Sequence, residues 1–516
     1  MTDVRNCILP ATSTYMGLRG YTIFKECLCS ADHKKIKDDL NVRPFIPNSP
    51  VKNTPTYKIF GETATTYTFP RYYGIQHYGQ PDQTILSAGA DIKVAFEGVL
   101  RDDQTFIVDK YIKAAYKHGG GLLEIPCGRG KTVDACKIIS SMGKKTLVIV
   151  HKSFLLNQWI ERIGQFLPTA RIGRIQGPVI EIDNKDIVIG MLQSLSMKEY
   201  PPATFASFGL TIVDECHHIS SEVFCRSLQQ IITKYTLGLS ATMNRKDGLT
   251  KVFKMFLGDI VYSEERPTSE TVLVKAIHFV STDVEFNKVV NDFRGNPAYS
   301  TMISKLCAFG PRSEFILDVL VREIHDATID EPAMVQQIMI LAHNKNLLSY
   351  LYDAISSRNI ATVGYYIGGM KESELKKSEG KQVIIATYAM ASEALDIKTL
   401  TTLILATPKT DVVQAVGRIL RVKHKRPMVV DIIDSHDIFE SQWHKRKKYY
   451  MVNNYTILHT RSDTYNDNKW TRIEYGKRQN NTIKNNNTIK NNDDEVDYPV
   501  NNNIPQFSGK LLLSLD

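Results

Sequence analysis

Two stretches of the chain share one pattern of hydrophobic and polar positions. In each stretch, short runs of apolar and β-branched residues alternate with longer segments whose apolar residues recur at helical spacing. Continuous apolar runs of this length are typical of strands buried on both faces of a parallel sheet, with helices between the strands. The pattern therefore predicts an α/β protein with two parallel-sheet units in tandem.

The first unit is predicted over 96–262 and the second over 331–460. The predicted strands of the first unit are GLLEIP, TLVIVH, DIVIGM, LTIVDE and YTLGLS, with helices such as Val133–Ser141 and Phe154–Phe166 between them. The predicted strands of the second unit are QQIMILAH, QVIIATY, TLILATP and PMVVDII. Residues 263–330 are less regular, and runs such as SEFILDVLVREIH predict a helical connector or insertion.

The two ends of the chain follow other patterns. Residues 1–95 are rich in Tyr, Thr, Pro and Gly, which predicts an accessory region of mostly β structure without a catalytic signature. In residues 461–516, the hexapeptide NNTIKN occurs twice in tandem, at 480–485 and 486–491. Polar low-complexity sequence cannot bury enough apolar surface to fold, so we expect a disordered Asn-rich tail.

Composition narrows the class of protein. A chain of 516 residues has room for about three domains. The net charge of +9 is compatible with an acidic polymer as a partner without requiring one. The eight cysteines are spread thinly, so we expect reduced thiols and an intracellular location. No signal peptide and no run long enough to span a bilayer is visible, so no membrane partner is expected.

A phosphate-binding loop is predicted directly after the strand GLLEIP. Its residues are Cys127, Gly128, Arg129, Gly130, Lys131 and Thr132. Glycines let the backbone present N–H groups to a phosphate, and the following helix adds its partial positive charge. Lys131 would reach the β- and γ-phosphates of ATP, and Thr132 would coordinate Mg²⁺. Ile125 stands where the full motif has a glycine, so a glycine-rich turn is the alternative for this segment alone.

Two acidic residues follow the strand LTIV. Carboxyl ends of parallel strands face the ligand crevice, so we assign Asp214 to the metal and Glu215 to the attacking water as general base. A solvated turn is the alternative for the pair alone. The adjacent His217 and His218 do not have the spacing of zinc ligands, and coupling of His217 to the second unit is the preferred interpretation.

Further polar residues follow later strands. Ser240 and Thr242, in Ser-Ala-Thr, can hydrogen-bond the acidic strand end. In the second unit, QAVGRILR is predicted to be a helix in which Gln414, Arg418 and Arg421 share one face. Such a face aimed at a γ-phosphate supplies arginine fingers, whereas a solvated basic surface is the alternative.

In chain order, these motifs resemble those of superfamily 2 helicases of the DEAH/DExH type. The resemblance covers about residues 100–435 and rests on the blocks LRDDQ, GRGKT, LVIVH, MLQS, DECHH, SAT, ILAHNK, ATYAMASEALDI and QAVGRILR. Within the superfamily, PCGRGKT, DECHH and Arg245-Lys246-Asp247 are similar to segments of XPB-like DNA helicases and the related transcript-release helicases of poxviruses and other large DNA viruses.

The resemblance implies two RecA-like domains that use ATP and Mg²⁺. It implies that Gln104, with Arg101, holds the adenine and that His217 senses Gln414. Ser240 and Thr242 would couple hydrolysis to movement. Glu393 and Asp396 would link the nucleotide site to the nucleic acid. Arg418 and Arg421 would act as arginine fingers.

The function implied is an ATP-dependent helicase or translocase on DNA, in viral-type transcription or repair. An RNA helicase, or a polymerase-associated binding factor with incidental ATPase activity, are the alternatives. RNA polymerase or transcription factors are candidate partners, and the location would be cytoplasm, nucleus or virion. The candidate nucleic-acid contacts are Lys152, Ser153, Gln193, Ser194, His343–Lys345, and the basic clusters at 421–426 and 444–450, for which solvated surface is the alternative.

Overall fold

A computed structural model describes most of the chain. The described residues are 13–43, 56–126, 128–218, 222–241, 243, 250–264, 272–330, 336–393, 397, 399–420 and 427–474. All elements below lie within Met1–Ile473, which packs as one compact unit. The predicted Asn-rich repeats lie outside the described residues.

The N-terminal region is built mainly from short strands. Its elements are β1 (Thr14–Gly17), β2 (Gly20–Phe24), α1 (Ser30–Leu40), β3 (Asn41–Val42), β4 (Tyr57–Lys58), β5 (Gly61–Glu62), β6 (Thr66–Phe69), α2 (Arg71–Tyr78) and β7 (Gln83–Thr84). Five strands form a sheet in the order β5-β6-β2-β1-β7, in which only the β1–β7 pair is parallel. The predicted β character of this region is confirmed.

The first α/β unit contains one mixed sheet with helices on its faces. Its elements are α3 (Asp102–His118), β8 (Gly120–Glu124), α4 (Lys131–Met142), β9 (Thr146–Val150), α5 (Ser153–Phe166), β10 (Ile172–Gln176), β11 (Val179–Ile180), β12 (Ile187–Met191), α6 (Leu192–Met197), β13 (Leu210–Val213), α7 (Glu222–Gln230), β14 (Tyr235–Ser240), α8 (Thr250–Leu257) and β15 (Ile260–Ser263). The strand order is β11-β10-β12-β9-β13-β14-β8-β15, and only the edge strand β11 is antiparallel.

The second α/β unit repeats this architecture. Its elements are β16 (Leu273–Phe279), α9 (Val284–Asn287), α10 (Tyr299–Ala308), α11 (Gly310–Asp330), β17 (Gln337–Ala342), α12 (Lys345–Ser357), β18 (Val363–Tyr366), α13 (Glu372–Glu379), β19 (Val383–Thr387), α14 (Tyr388–Glu393), β20 (Leu400–Leu405), α15 (Val413–Val416), β21 (Met428–Asp434), α16 (Asp437–Val452), β22 (Thr456–Arg461) and β23 (Thr471–Arg472). The strand order is β18-β19-β17-β20-β21-β16-β22-β23, parallel except for β23. The predicted tandem of RecA-like sheets is confirmed.

The second sheet extends beyond the predicted boundaries of its unit. Strand β16 comes from the segment expected to be a helical connector, yet it lies between β21 and β22. A short apolar run such as LVKAIHF does not distinguish a strand from a helix turn, and its pairing on both sides decides the outcome. Strand β23 lies in the range predicted as tail, so the sheet continues past residue 460.

The N-terminal region shares a hydrophobic core with the first unit. Tyr21 and Phe69 belong to the same buried cluster as Leu122 and Phe253. The Tyr72 hydroxyl also lies 2.9 Å from Oγ1 of Thr236 in β14. The accessory region is therefore packed onto the first α/β unit through both apolar and polar contacts.

Two buried ion pairs stabilise the second unit. Asp431 accepts two hydrogen bonds from Arg446, at 2.8 and 2.9 Å, and Asp434 accepts two from Arg312, at 2.6 and 2.8 Å. Both pairs are fully buried. The prediction that the basic cluster at 444–450 could form a nucleic-acid funnel is therefore wrong for Arg446, because its guanidinium faces the core.

The described part of the chain bears on two further expectations. None of its helices combines the length and apolar character that a bilayer crossing requires. Cysteines within it are free thiols, and these are Cys27, Cys29, Cys136, Cys216, Cys225 and Cys307.

Candidate functional site

Three neighbouring strands of the first sheet end at the same edge. Ser240 at the end of β14 pairs with Glu124 at the end of β8, and Val213 at the end of β13 pairs with Gly238. Because the strands are parallel, their carboxyl ends carry the phosphate loop, the acidic pair and the Ser-Ala-Thr segment to one place. The topology thus unites motifs that are far apart in sequence.

The phosphate loop depends on glycine at two positions. Gly128 and Gly130 have φ angles of +84° and +91°, which other residues rarely adopt. A Cβ atom at Gly130 would also lie 2.6 Å from Nε2 of Gln104. Helix α4 begins at Lys131, so its first N–H groups lie beside the loop. This geometry fits a bound phosphate.

Lys131 and Glu215 form an ion pair across the site. Nζ of Lys131 lies 2.9 Å from Oε1 of Glu215, and Nδ1 of His217 lies 3.3 Å from the other carboxylate oxygen. Burial opposes ionisation of Glu215, but the charges of Lys131 and His217 outweigh it and hold the pKa of Glu215 well below its usual range. The residue therefore presents a carboxylate, as a general base must.

Asp214 is held by an aromatic side chain that the sequence did not suggest. Trp159 in α5 donates its indole N–H to Oδ2 of Asp214 at 2.9 Å, and the backbone N–H of Glu215 donates to Oδ1 at 3.0 Å. Burial, reinforced by the negative charge of Glu215, raises the pKa of Asp214. A bound cation would favour its ionised form, which makes the residue suitable for a metal.

The backbone at Glu215 is in the left-handed region, with a φ angle of +48°. The other non-glycine residues with positive φ in the described ranges are all asparagines, which tolerate this conformation. Glutamate does not, and strain of this kind is concentrated at functional sites. The conformation turns the Glu215 side chain towards Lys131.

Gln104 lies beside the phosphate loop but is already hydrogen-bonded. It is buried, and its Nε2 donates to Oδ1 of Asp134 at 2.7 Å. Its Oε1 accepts from the backbone N–H of Arg101 at 3.2 Å. Burial raises the pKa of Asp134 to about 7. Asp134 therefore orients the amide that the sequence assigns to the adenine.

Arg129 pairs with two carboxylates. Its Nε donates to Oε1 of Glu264 at 2.8 Å, and its Nη2 donates to Oδ2 of Asp103 at 2.9 Å. Its backbone carbonyl accepts from Nη2 of Arg101 at 2.6 Å. Binding of a nucleotide through this side chain stays a prediction.

His217 contacts the coupling segment of its own unit. Its Nδ1 lies 2.8 Å from Oγ of Ser240, which joins the acidic loop to the end of β14. The predicted contact between His217 and Gln414 stays a prediction. Thr242 lies outside the described residues.

The predicted arginine-finger helix is shorter than expected. Helix α15 ends at Val416, and the backbone then forms tight turns in which Arg418 N–H donates to Ala415 and Ile419 N–H to Val416. Arg418 is buried, and its Nε donates to the carbonyl of Ala391 at 2.8 Å.

The remaining predicted site residues are described only in part. Gln414 is half-buried at the surface of the second unit. Cys127, Asp396, Arg421 and the cluster at 421–426 lie outside the described residues, as does the side chain of Glu393.

The candidate nucleic-acid contacts in the first unit form a connected set. Nε2 of Gln193 donates to the carbonyl of His151 at 2.8 Å, directly before Lys152 and Ser153. Oγ of Ser194 accepts from the backbone N–H of Gly177 at 2.8 Å. These loops all follow the carboxyl ends of strands. In the second unit, His343 occupies the equivalent place after β17, where it contacts Thr407.

Several supporting residues escaped the sequence analysis. They are Asp103, Glu124, Asp134, Trp159 and Glu264. Most of their partners lie far away along the chain, 26 residues in the bond from Arg129 to Asp103 and 139 in the bond from Ser263 to Glu124, although Arg101 also pairs with the nearby Asp103. The one available signal was the acidic residue in the apolar stretch GKTVDAC, since a buried carboxyl requires a partner.

Comparison with known proteins identifies the family of this chain. The family model described as "Type III restriction enzyme, res subunit" matches residues 97–245. The "Putative ATP-dependent RNA helicase L396" of Acanthamoeba polyphaga mimivirus is 36% identical over 451 residues, which are 85% of this chain and 85% of that protein. The chain belongs to the superfamily 2 helicases of the large-DNA-virus type. It is accordingly an ATP-hydrolysing enzyme of this helicase family.

More distant members of the helicase family match as well. The "Putative ATP-dependent RNA helicase QP509L" of African swine fever virus (isolate Tick/Malawi/Lil 20-1/1983) is 29% identical, covering 69% of this chain and 73% of that protein. The "Putative helicase 161L" of Invertebrate iridescent virus 6 is 24% identical, covering 71% and 85%. A Dbp5 variant from S. cerevisiae, solved with RNA and ADP BeF3, shares the fold with a TM-score of 0.50 and 12% identity, covering 70% of this chain and 91% of that one.

Proposed function

We propose that this helicase couples ATP hydrolysis to movement along, or unwinding of, DNA in viral-type transcription or repair. The observation that carries the proposal is the constellation of Lys131, Asp214 and Glu215 at the carboxyl edge of the first sheet, followed by a second RecA-like sheet. The choice of DNA rests on the resemblance of PCGRGKT and DECHH to XPB-like helicases.

The first unit would bind ATP. The phosphate loop and Lys131 would hold the phosphates, and Gln104 would hold the base. Thr132 and Asp214 would hold Mg²⁺, which supplies charge neutralisation at the phosphates. Glu215 would accept a proton from the attacking water at its carboxylate, which Lys131 and His217 keep ionised.

The second unit would complete the site with Arg418, and with Gln414 and Arg421 on the same segment. An arginine that contacts the γ-phosphate makes closure of the two units depend on ATP, and hydrolysis removes that contact. Nucleic acid would lie across both units, near Gln193 in the first and His343 in the second. Contacts to the phosphates of the nucleic acid dominate binding of this kind, so the affinity for nucleic acid would fall as the salt concentration rises.

RNA is the second candidate substrate. Two relatives of this chain are named ATP-dependent RNA helicases, and the chemistry of the site is the same for either polymer. RNA polymerase or transcription factors remain proposed partners, and cytoplasm, nucleus or virion the proposed location.

The test is ATPase stimulation measured side by side with single-stranded DNA, duplex DNA and RNA. We expect strong stimulation by DNA and a decline as salt rises. Stimulation by RNA alone would overturn the choice of DNA while leaving the helicase assignment intact. Turnover that no nucleic acid changes would instead favour a binding factor with incidental ATPase activity.

A further inference from the structure

The side chain of Arg129 connects three parts of the first unit. It lies in the phosphate loop, and its two carboxylate partners come from the start of α3 and from the residue that follows β15. The guanidinium lies 2.7 Å from Oε1 of Glu264, whose side chain is only 10% exposed, and 2.9 Å from Asp103, which is 33% exposed. The pair with Glu264 is therefore the better shielded of the two.

Glu264 stands where the chain leaves the first unit. It is the last described residue before Val272, and the second sheet begins at Leu273. Its backbone N–H donates to the carbonyl of Glu124 at 2.8 Å. Glu124 is the last residue of β8, before the phosphate loop. Glu264 is therefore hydrogen-bonded both to the strand that leads into the loop and to Arg129 within the loop.

Glu124 strengthens the same connection. One carboxylate oxygen accepts from Oγ of Ser263 at 2.7 Å, and the other accepts from the backbone N–H of Met243 at 2.7 Å. Met243 follows the Ser-Ala-Thr segment. Residues 263 and 264 thus make three hydrogen bonds to Glu124 and Arg129, and Glu124 in turn accepts from the residue that follows the coupling segment.

We infer that the Arg129–Glu264 pair is a coupling strut, which transmits the position of the phosphate loop to the segment that leads into the second unit. Arg129 is then a positioning residue rather than a phosphate ligand. Arg101 donates both to the backbone carbonyl of Arg129 and to the carboxylate of Asp103. A shift of the phosphate loop would therefore also reach α3, which carries Gln104. The inference rests on the proposed nucleic-acid-driven ATPase, because it concerns how the two units act together.

The two possible roles of Arg129 predict different kinetics. As a strut, Arg129 reaches the second unit through Glu264, so removing either partner removes the same stimulation by nucleic acid. As a phosphate ligand, Arg129 would act on ATP binding whether or not Glu264 is present. Residues that form one unit are non-additive in a double-mutant cycle, whereas independent residues are additive.

The experiment measures basal and DNA-stimulated ATPase for the full chain and its variants. We expect Glu264→Gln to keep the basal kcat and the KM for ATP, while DNA stimulation falls about 5- to 10-fold, the lower part of the usual range for coupling between sites. Arg129→Ala should lose the same stimulation, and the double variant should lose no more. Arg129→Lys, which keeps the charge, should recover part of it.

Two controls keep the outcomes distinct. Glu181→Gln removes an exposed partner of Arg174 and should behave as wild type. Asp103→Asn should raise the KM for ATP through α3 with less effect on stimulation. Normal stimulation in Glu264→Gln, or a KM for ATP that rises more in Arg129→Ala than in Asp103→Asn, would overturn the strut. If no nucleic acid stimulates the ATPase of the wild-type enzyme, the proposed function is wrong, and the strut, which rests on that function, is wrong as well.

Discussion

The two α/β units share one sheet architecture but use their charged residues differently. In the first unit, Lys131 and Glu215 meet at the carboxyl edge of the sheet with 11% and 20% of their side chains exposed. In the second unit, Asp431 and Asp434 lie inside a central strand with no exposure, and a buried arginine donates two hydrogen bonds to each.

The difference separates charge used for chemistry from charge used for folding. A carboxylate that must accept a proton needs access and a partner that can be displaced. A buried carboxylate with a full set of donors is stable but cannot react, and removal of its partner leaves an uncompensated charge. We therefore expect substitutions in the first unit to act on turnover and those in the buried pairs of the second to act on stability.

Arg418 offers the most severe test, because it would give the second unit a chemical role. We expect Arg418→Ala to lower kcat by about 10³-fold or more, as removal of arginine fingers does, while ATP binding persists. The measurement is single-turnover hydrolysis together with nucleotide binding by fluorescence. Lost binding with normal hydrolysis at saturating ATP would show that Arg418 does not act as an arginine finger. The chemical role would then belong to the first unit.

Substitution of the general base should have the next largest effect. Glu215→Gln keeps the shape and removes the proton acceptor, so kcat should fall by about 10²–10⁴-fold. Lys131→Ala should also abolish turnover, and both variants should retain the wild-type circular dichroism spectrum. Glu222→Gln is the matched control, because it removes an exposed carboxylate of α7 that pairs with Arg226 at the surface. Full activity in Glu215→Gln would remove the assigned base.

Breaking a buried pair in the second unit should act on stability. Arg446→Met leaves Asp431 without its bidentate partner, so the unfolding free energy of this unit should drop by about 3–5 kcal/mol. Urea denaturation provides the measurement. Arg358→Met is the matched control, since its pair with Glu314 is about half exposed, and little change is expected. Equal losses in the two variants would contradict the contrast drawn above.

The last prediction concerns Asp134 and depends on pH. Because its folded pKa is raised to about 7 from a usual 3.8, its contribution to stability is fully present below pH 3.8 and is lost as pH rises through 7. The unfolding free energy of Asp134→Asn should therefore rise relative to that of the wild type by roughly 1 kcal/mol for each pH unit between pH 4 and 7. Thermal unfolding across this range would reveal the trend, and parallel pH profiles would refute it.

The sequence was sufficient for the repeated sheets and for the motifs that the structure brings together at one edge of the first sheet. Hydrophobic runs predicted the central strands, and helices α4 and α5 begin and end within two residues of the predicted segments. Local spacing also located Lys131, Asp214 and Glu215. These features depend on neighbours in the chain, which is why periodicity and motif spacing capture them.

Contacts between distant segments were beyond the reach of local patterns. The basic run at 444–450 gave no sign that Arg446 faces a buried aspartate, because charge alone does not reveal which face of a helix is covered. Helix α16 has buried residues at Phe439, Trp443, Arg446 and Tyr450, and the arginine completes a helical stripe that is otherwise aromatic. Likewise, the bond from Trp159 to Asp214 joins a helix and a strand 55 residues apart.

The packing of the N-terminal region also limits how the protein can be divided in the laboratory. A fragment that starts at the predicted boundary near residue 96 would strip Tyr72 from Thr236 and Arg71 from the carbonyl of Lys234. It would also uncover the apolar surface that Tyr21 and Phe69 now share with Phe253. Such a fragment is expected to aggregate, so a shortened helicase should retain these first strands.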